Sequence, residues 1–268
     1  MLTPDQSDRL DIVLVAPRNP LNIGAAARAM ANFGFHRLSI VAPFAVNWME
    51  AKSAVGAPDL LREARVFDTL AEAVRDCSLV LGTGSLDRRR PVQTTLGLPE
   101  AAELIRKTLN ASSLPPDHEI PRKPSQRVAL LFGSEKHGLT TEELSWCHAL
   151  AVIETCDAQP SMNLGQAVAV CLYEISRTAP DHTNDAATLT QKIKGSENPS
   201  SEQLDRLASL IEETMDAVNY TTRGISAANG EALRVLLRRL MPNEADLRRM
   251  MGLFRRTLWQ LRRSSPRQ

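Results

Sequence analysis

The sequence predicts an α/β fold, a mostly parallel sheet with helices on both faces, followed by a small helical C-terminal extension. Three observations carry this reading. Short apolar runs alternate with helix-patterned stretches between residues 11 and 177. Those runs are rich in Val, Ile and Leu without polar alternation, as strands buried on both faces require. A polar stretch containing Pro180, Gly195 and Pro199 then separates them from a segment patterned only for helices. The predicted organisation is an α/β domain over residues 1–177, a linker over 178–201 and a basic helical domain over 202–268.

The first run, IVLVAP at 12–17, predicts a strand, and Asn22 to Phe33 predicts the helix that follows it. RLSIVAP at 37–43 and SLVLGTG at 78–84 predict two more strands, with a helix from Leu70 to Arg75 between them. A helix from Pro99 to Leu109 leads to segment 110–126, whose four prolines and lack of periodicity read as a surface loop. VALLFG at 128–133 and LAVIET at 150–155 complete a sheet of five or six strands, with helices from Thr141 to Cys147 and from Asn163 to Arg177. Beyond the linker, Leu204, Leu207, Leu210, Ile211 and Met215 fall at helical spacing within Glu202–Val218, and Glu231–Leu240 is similar. The last segment opens at Pro242 and Asn243, with Asp246 three residues on as in a helix cap. There Arg248, Arg255 and Arg262 recur every seven residues, as do Arg249, Arg256 and Arg263, which makes two basic ridges beside an apolar stripe.

Composition narrows the function. Hydrophobic residues make up 43% of the 268 and charged residues 24%, ordinary globular usage that excludes wholesale disorder. Aromatic residues are only 4%, too few for a platform of clustered rings that stacks single-stranded bases. The overall charge of +1 hides an asymmetry: Glu231–Gln268 holds ten Arg and three acidic residues, a net of +7. Such a block points to a polyanionic partner, phosphate backbones first. Cys77, Cys147, Cys156 and Cys171 match neither a zinc knuckle nor a redox motif. The stretch MLTPDQSDRL lacks a basic segment followed by an apolar one, and no window approaches the apolar length that spans a bilayer, so the expectation is a cytoplasmic protein with no membrane and no metal.

Three segments place small and polar residues where strands hand over to helices. NPLNIGAAARAM sets Asn22 and Gly24 at a helix start, followed by an alanine face suited to close helix packing, with Arg28 projecting from it. LFGSEKHGLT puts Gly133, Glu135 and Gly138 at a strand's C-terminal end, where glycines make a tight turn or let backbone approach a ligand. SMNLGQAVAVCLYE offers Ser161 or Asn163 as a helix cap, and helix N-termini attract anions. GTGS at 82–85 lacks the third glycine of a dinucleotide fingerprint, which argues against an oxidoreductase.

In this order and at these separations the three segments resemble motifs one, two and three of the SpoU branch of the SPOUT RNA methyltransferases. Within the branch, LVLGTGS, the stretch from Cys147 to Ile175 and the short basic tail are most similar to bacterial tRNA ribose methyltransferases. The resemblance implies a sheet threaded into a trefoil knot that holds S-adenosyl-L-methionine. It assigns the cofactor to Thr83, Gly84, Ser85, Gly133, Ile153, Ser161 and Met162, and catalysis to Arg28, with Asn22, Glu135 and Asn163 arranging the site. It further implies a homodimer with sites shared between subunits, and methylation of a ribose 2′-hydroxyl in tRNA, at a cytidine or uridine at position 32 of the anticodon loop. Ribosomal RNA as substrate, or an inactive RNA-binding module of the same fold, are the alternatives. A guanidinium is a very poor proton acceptor near neutral pH, so Arg28 is read as an electrostatic stabiliser rather than a general base. Arg248, Arg249, Arg255 and Arg256 are expected to grip tRNA phosphates.

Overall fold

The structure, a computed structural model, describes residues 2–44, 57–84, 91–111, 126–156, 158–177, 198–220 and 226–264. The expected loop therefore lies outside the described residues over 112–125, and the linker over 178–197.

Seven strands form one sheet: β1 (Leu10–Val15), β2 (Leu38–Val41), β3 (Arg65–Phe67), β4 (Cys77–Thr83), β5 (Thr94–Gly97), β6 (Arg127–Phe132) and β7 (Ala149–Val152). Their order is β3-β2-β1-β6-β4-β7-β5, and each neighbouring pair is parallel. Sequence reading misses β3 and β5, and both are outermost. An edge strand is covered on fewer sides and can be short and polar, so RVF and TTLG lack the apolar run that marks the others.

Alternate residues of β1 feed two cores, as a pleat requires. Leu10, Ile12 and Leu14 face one layer, with Ile23 and Met30 of α2 (Pro20–Phe33), Ile105 of α5 (Leu98–Ala111) and Leu172 of α7 (Leu164–Ser176). Val13 and Val15 face the other, with Val74 of α4 (Leu70–Val74) and with Trp146, just past α6 (Thr141–Ser145). Two short helices, α1 (Pro4–Ser7) and α3 (Pro58–Arg62), were not expected. Helix α2 starts two residues before the expected Asn22 because Asn19 caps it and Pro20 takes the first helical position, where its missing N–H costs nothing.

Three further helices follow: α8 (Ser201–Ala217), α9 (Ser226–Leu240), which starts five residues before the expected Glu231, and α10 (Glu244–Ser264). Asn243 accepts the Asp246 N–H at 2.9 Å, the expected cap of α10. Leu204, Leu207, Ile211, Leu237 and Leu247 make a separate small core, flanked by Met250, Met251 and Phe254. This unit is fastened to the sheet by an unusual contact. The Arg234 and Arg238 guanidinium groups lie 4.4 and 4.9 Å from the Trp146 ring centroid, and Arg238 is fully buried. Burial pushes the Arg238 guanidinium down to about 10 against the opposing pull of Asp205. Among the described residues no helix is long and apolar enough to cross a membrane, and no His, Cys, Asp and Glu group is arranged to hold a metal ion.

Candidate active site

Because the sheet is parallel, the C-terminal ends of all its strands lie along one edge, the usual position of a ligand site in such folds. β6, β4 and β7 are direct neighbours there. The chain leaving each of them, together with the segment entering α7, walls a cavity of about 530 Å3. Phe132, Leu150, Ile153 and Met162 supply apolar surface, and Thr83, Ser134 and Ser161 supply polar groups. Gly133 is required by the turn beyond β6. A Cβ there would lie 2.1 Å from the Gly138 carbonyl carbon and 2.2 Å from the Leu139 nitrogen. The turn closes on itself through the Gly138 N–H, which donates to the Ser134 carbonyl at 2.8 Å, with Gly138 at φ +64°.

A chain of hydrogen bonds ties the three segments together beside this cavity. The Glu135 carboxylate accepts the backbone N–H of Arg18 at 2.9 Å and of Asn19 at 3.0 Å, and the Asn22 side-chain amide at 2.9 Å. The Asn22 carbonyl oxygen accepts the Asn163 amide at 2.9 Å. Asn163 in turn caps α7 by accepting the N–H of Gly165 at 3.0 Å and of Gln166 at 3.4 Å. Burial would push the Glu135 carboxyl up, but the hydrogen bonds from Asn22, Asn19, Arg18 and its own N–H outweigh it and hold it below its ordinary value. Helix α7 reaches this position because Gly165 packs on Ala25, where a Cβ would come within 2.6 Å of the Ala25 Cβ. The alanine face of α2 thus serves packing, and Asn22, in the first turn of the same helix, serves the site.

Thr83, Gly84, Gly133, Glu135, Ile153, Ser161 and Met162 all line the one cavity. Ser85 lies outside the described residues. Arg28 is exposed on α2 and is absent from the cavity wall. Arg248, Arg249, Arg255 and Arg256 are exposed on α10. The sequence model of the SpoU rRNA Methylase family matches residues 9–173, most of the chain. The chain belongs to that family.

Among SpoU relatives, the tRNA (cytidine/uridine/adenosine-2'-O-)-methyltransferase TrmJ of Pseudomonas aeruginosa is 41% identical over 169 residues, 63% of this chain and 60% of that protein. The chain thus spans under two thirds of that relative. The tRNA (cytidine/uridine-2'-O-)-methyltransferase TrmJ of Sodalis glossinidius is 31% identical over 243 residues, covering 90% of this chain and 88% of that one. The crystal structure of TrmJ from Z. mobilis ZM4 superposes with a TM-score of 0.73 at 28% identity, over 92% of this chain and 97% of that one.

Two parts of this candidate site escape sequence reading. Two of the three donors that hold Glu135 are main-chain N–H groups, of Arg18 and Asn19, which leave no side-chain signature. The Asn-Pro pair at 19–20 is a helix-start signal that would have placed them. The apolar wall, Phe132 and Leu150 among it, reads in the sequence only as strand core.

Proposed function

We infer that the chain is an S-adenosyl-L-methionine-dependent tRNA 2′-O-ribose methyltransferase, acting on a cytidine or uridine at position 32 of the anticodon loop. The observation that carries the reading is one cavity lined by the second and third motif segments, to which the first segment is tied by the Glu135–Asn22–Asn163 chain. The relatives' printed activities support the substrate class. The cavity fits the cofactor: about 530 Å3 lies within the range of small-molecule sites. Its wall combines apolar side chains with the polar Thr83, Ser134, Thr155 and Ser161 and the charged Glu135 and Lys136, which suits a nucleoside carrying an amino-acid tail, and open space lies where a Gly84 Cβ would point. Thr83, Gly84, Gly133, Ile153, Ser161 and Met162 would hold the cofactor, with Ser85 adjacent in the chain.

When bound, S-adenosyl-L-methionine supplies an electrophilic methyl group on sulfur. The chain's own residues must then orient the ribose hydroxyl and stabilise the charge that grows on its oxygen. Glu135 has both oxygens engaged by three donors and stays ionised, so it acts as a brace for Asn22 and not as a proton acceptor. Asn163 is similarly engaged by the α7 cap. The Arg28 guanidinium supplies electrostatic stabilisation of the alkoxide and of the neighbouring phosphate, the proton leaving to a phosphate oxygen or water.

The exposure of Arg28 away from its own chain's cavity supports a homodimer in which Arg28 of one subunit completes the partner's site. The family resemblance supports a trefoil knot within residues 1–177, joined through 178–201 to a helical domain at 202–268. The exposure of Arg248, Arg249, Arg255 and Arg256 in that domain supports their reading as contacts to tRNA phosphates. The test is transfer of labelled methyl to unmodified tRNA transcripts and to ribosomal RNA, followed by nuclease mapping. A 2′-O-methylated tRNA pyrimidine is expected. Methylation of ribosomal RNA alone would replace the substrate, and no transfer would leave an RNA-binding module.

A further inference from the structure

The ends of β1 and β2 carry the same tripeptide: Val15-Ala16-Pro17 before Arg18, and Val41-Ala42-Pro43 before Phe44. Both alanines are left-handed, Ala16 at φ +46° and Ala42 at φ +44°. A residue with a Cβ adopts that conformation at a cost, and such outliers collect where a chain must aim a side chain for use. The two turns are tied to the sheet and to each other. The Ala16 N–H donates to the Val41 carbonyl at 2.8 Å, the Ala42 N–H to the Phe67 carbonyl at 2.9 Å, and the Phe44 N–H to the Pro17 carbonyl at 3.1 Å.

Their joint product is a stacked pair. The Arg18 guanidinium carbon lies 4.3 Å from the Phe44 ring centroid, and Phe44 is 70% exposed. The guanidinium lies over the ring, and most of the Phe44 surface stays exposed. The pair stands on the catalytic edge of the sheet, since β2 neighbours β1 and β1 neighbours β6. At the usual spacing between strands, two steps put it roughly 10 Å from the β6 end. It also shares the frame of the site, because Glu135 accepts both the Arg18 N–H and the Asn22 amide.

We propose that Arg18 and Phe44 form a stacking shelf for the base of the RNA nucleotide presented for methylation. The proposal rests on the RNA methyltransferase reading above and adds to it the group that positions the target base. Single-stranded bases splay onto aromatic rings and guanidinium planes, and the contact tolerates any base because each has a π-face. One braced ring serves where a cluster is lacking, as the low aromatic content of the chain requires. A shelf of this kind orients the nucleotide without reading its hydrogen-bonding edge, so it sets ribose position more than base identity.

The test uses the full chain with an unmodified tRNA transcript, comparing Phe44→Ala, Phe44→Leu and Phe44→Trp. Three quantities are measured: kcat/KM for labelled methyl transfer, tRNA affinity by filter binding, and cofactor affinity by calorimetry. Phe44→Ala and Phe44→Leu are expected to lower kcat/KM for tRNA by roughly 5- to 150-fold, with cofactor affinity unchanged. Phe44→Trp, which keeps a ring face, loses less than Phe44→Leu, which keeps only bulk. Wild-type kcat/KM in Phe44→Leu, or a parallel fall in its cofactor affinity, would overturn the shelf while leaving the methyltransferase reading intact. If the wild type transfers no methyl to any tRNA, that reading falls instead. The shelf is then judged on tRNA affinity alone, which weakens in Phe44→Leu if Phe44 is an RNA contact and stays equal if it is not.

Discussion

Replacing Glu135 by Gln perturbs the brace of the site with almost no change in shape. In the wild type, one carboxylate oxygen accepts the Arg18 N–H and the other accepts both the Asn19 N–H and the Asn22 amide. Gln offers one carbonyl, so one of the three donors faces an NH2 group and the other two bond to a neutral acceptor. A hydrogen bond to a charged group contributes about 1.5 to 3 kcal/mol and a neutral one about 0.5 to 1.5. One lost and two weakened bonds sum to about 4 kcal/mol, and because the site is exposed, water recovers part of this and leaves about 2 kcal/mol. Urea denaturation followed by circular dichroism at pH 7 reads the difference directly. Its pH dependence follows from the depressed Glu135 pKa. The stabilisation is fully present above the ordinary value of 4.5 and is lost as pH falls through the lower folded value. Wild type and Glu135→Gln should therefore differ most at neutral pH and converge below the carboxylate range. A difference under about 0.5 kcal/mol at pH 7, or one that is constant with pH, would refute the brace.

Three other outcomes follow from the same geometry. Mixing Arg28→Ala with Ile153→Trp, each inactive alone, should restore methyl transfer, because the mixed dimer holds one intact cavity facing one intact Arg28. Silence from verified mixed dimers would place Arg28 in its own subunit's site. Burial pushes the Cys147 and Cys171 thiols up to about 12 and raises Cys77 as well, while Cys156 is exposed. A chromogenic disulfide reagent at pH 8 should titrate one thiol rapidly and the other three only after denaturation, and two fast thiols would contradict the packing. Changing Arg248, Arg249, Arg255 and Arg256 together to Gln should reduce the slope of log affinity for tRNA against log salt by about 3, at 0.7 to 0.9 per phosphate contact. An unchanged slope would remove α10 from the RNA interface.

What the sequence reveals of this fold divides by environment. Strands buried on both faces, such as β1 and β6, announce themselves as unbroken apolar runs. The outermost β3 and β5 do not, because burial on fewer sides relaxes their composition. The residues around the cavity were legible as segments through their order and spacing, since small residues at strand ends taken singly also read as tight turns or helix caps. Their connection was not. That Glu135 joins Asn22 to the Arg18 and Asn19 backbone depends on β1 and β6 being neighbours, and 113 positions separate Glu135 from Asn22 in the chain. Arg238 is a second instance. Its charge counts toward a basic tail in the sequence, yet it is buried, stacked on Trp146 and bonded to Ser201 at 2.8 Å. Only the partner on another element distinguishes a clamp from a phosphate contact.

Crystals grown with S-adenosyl-L-methionine test the central claim most directly. The account predicts density for the whole cofactor among Thr83, Gly133, Ile153 and Met162, with its methyl group turned toward the Asn22–Glu135–Asn163 chain. Cofactor bound at another edge of the sheet, or a methyl group turned away from that chain, would contradict it.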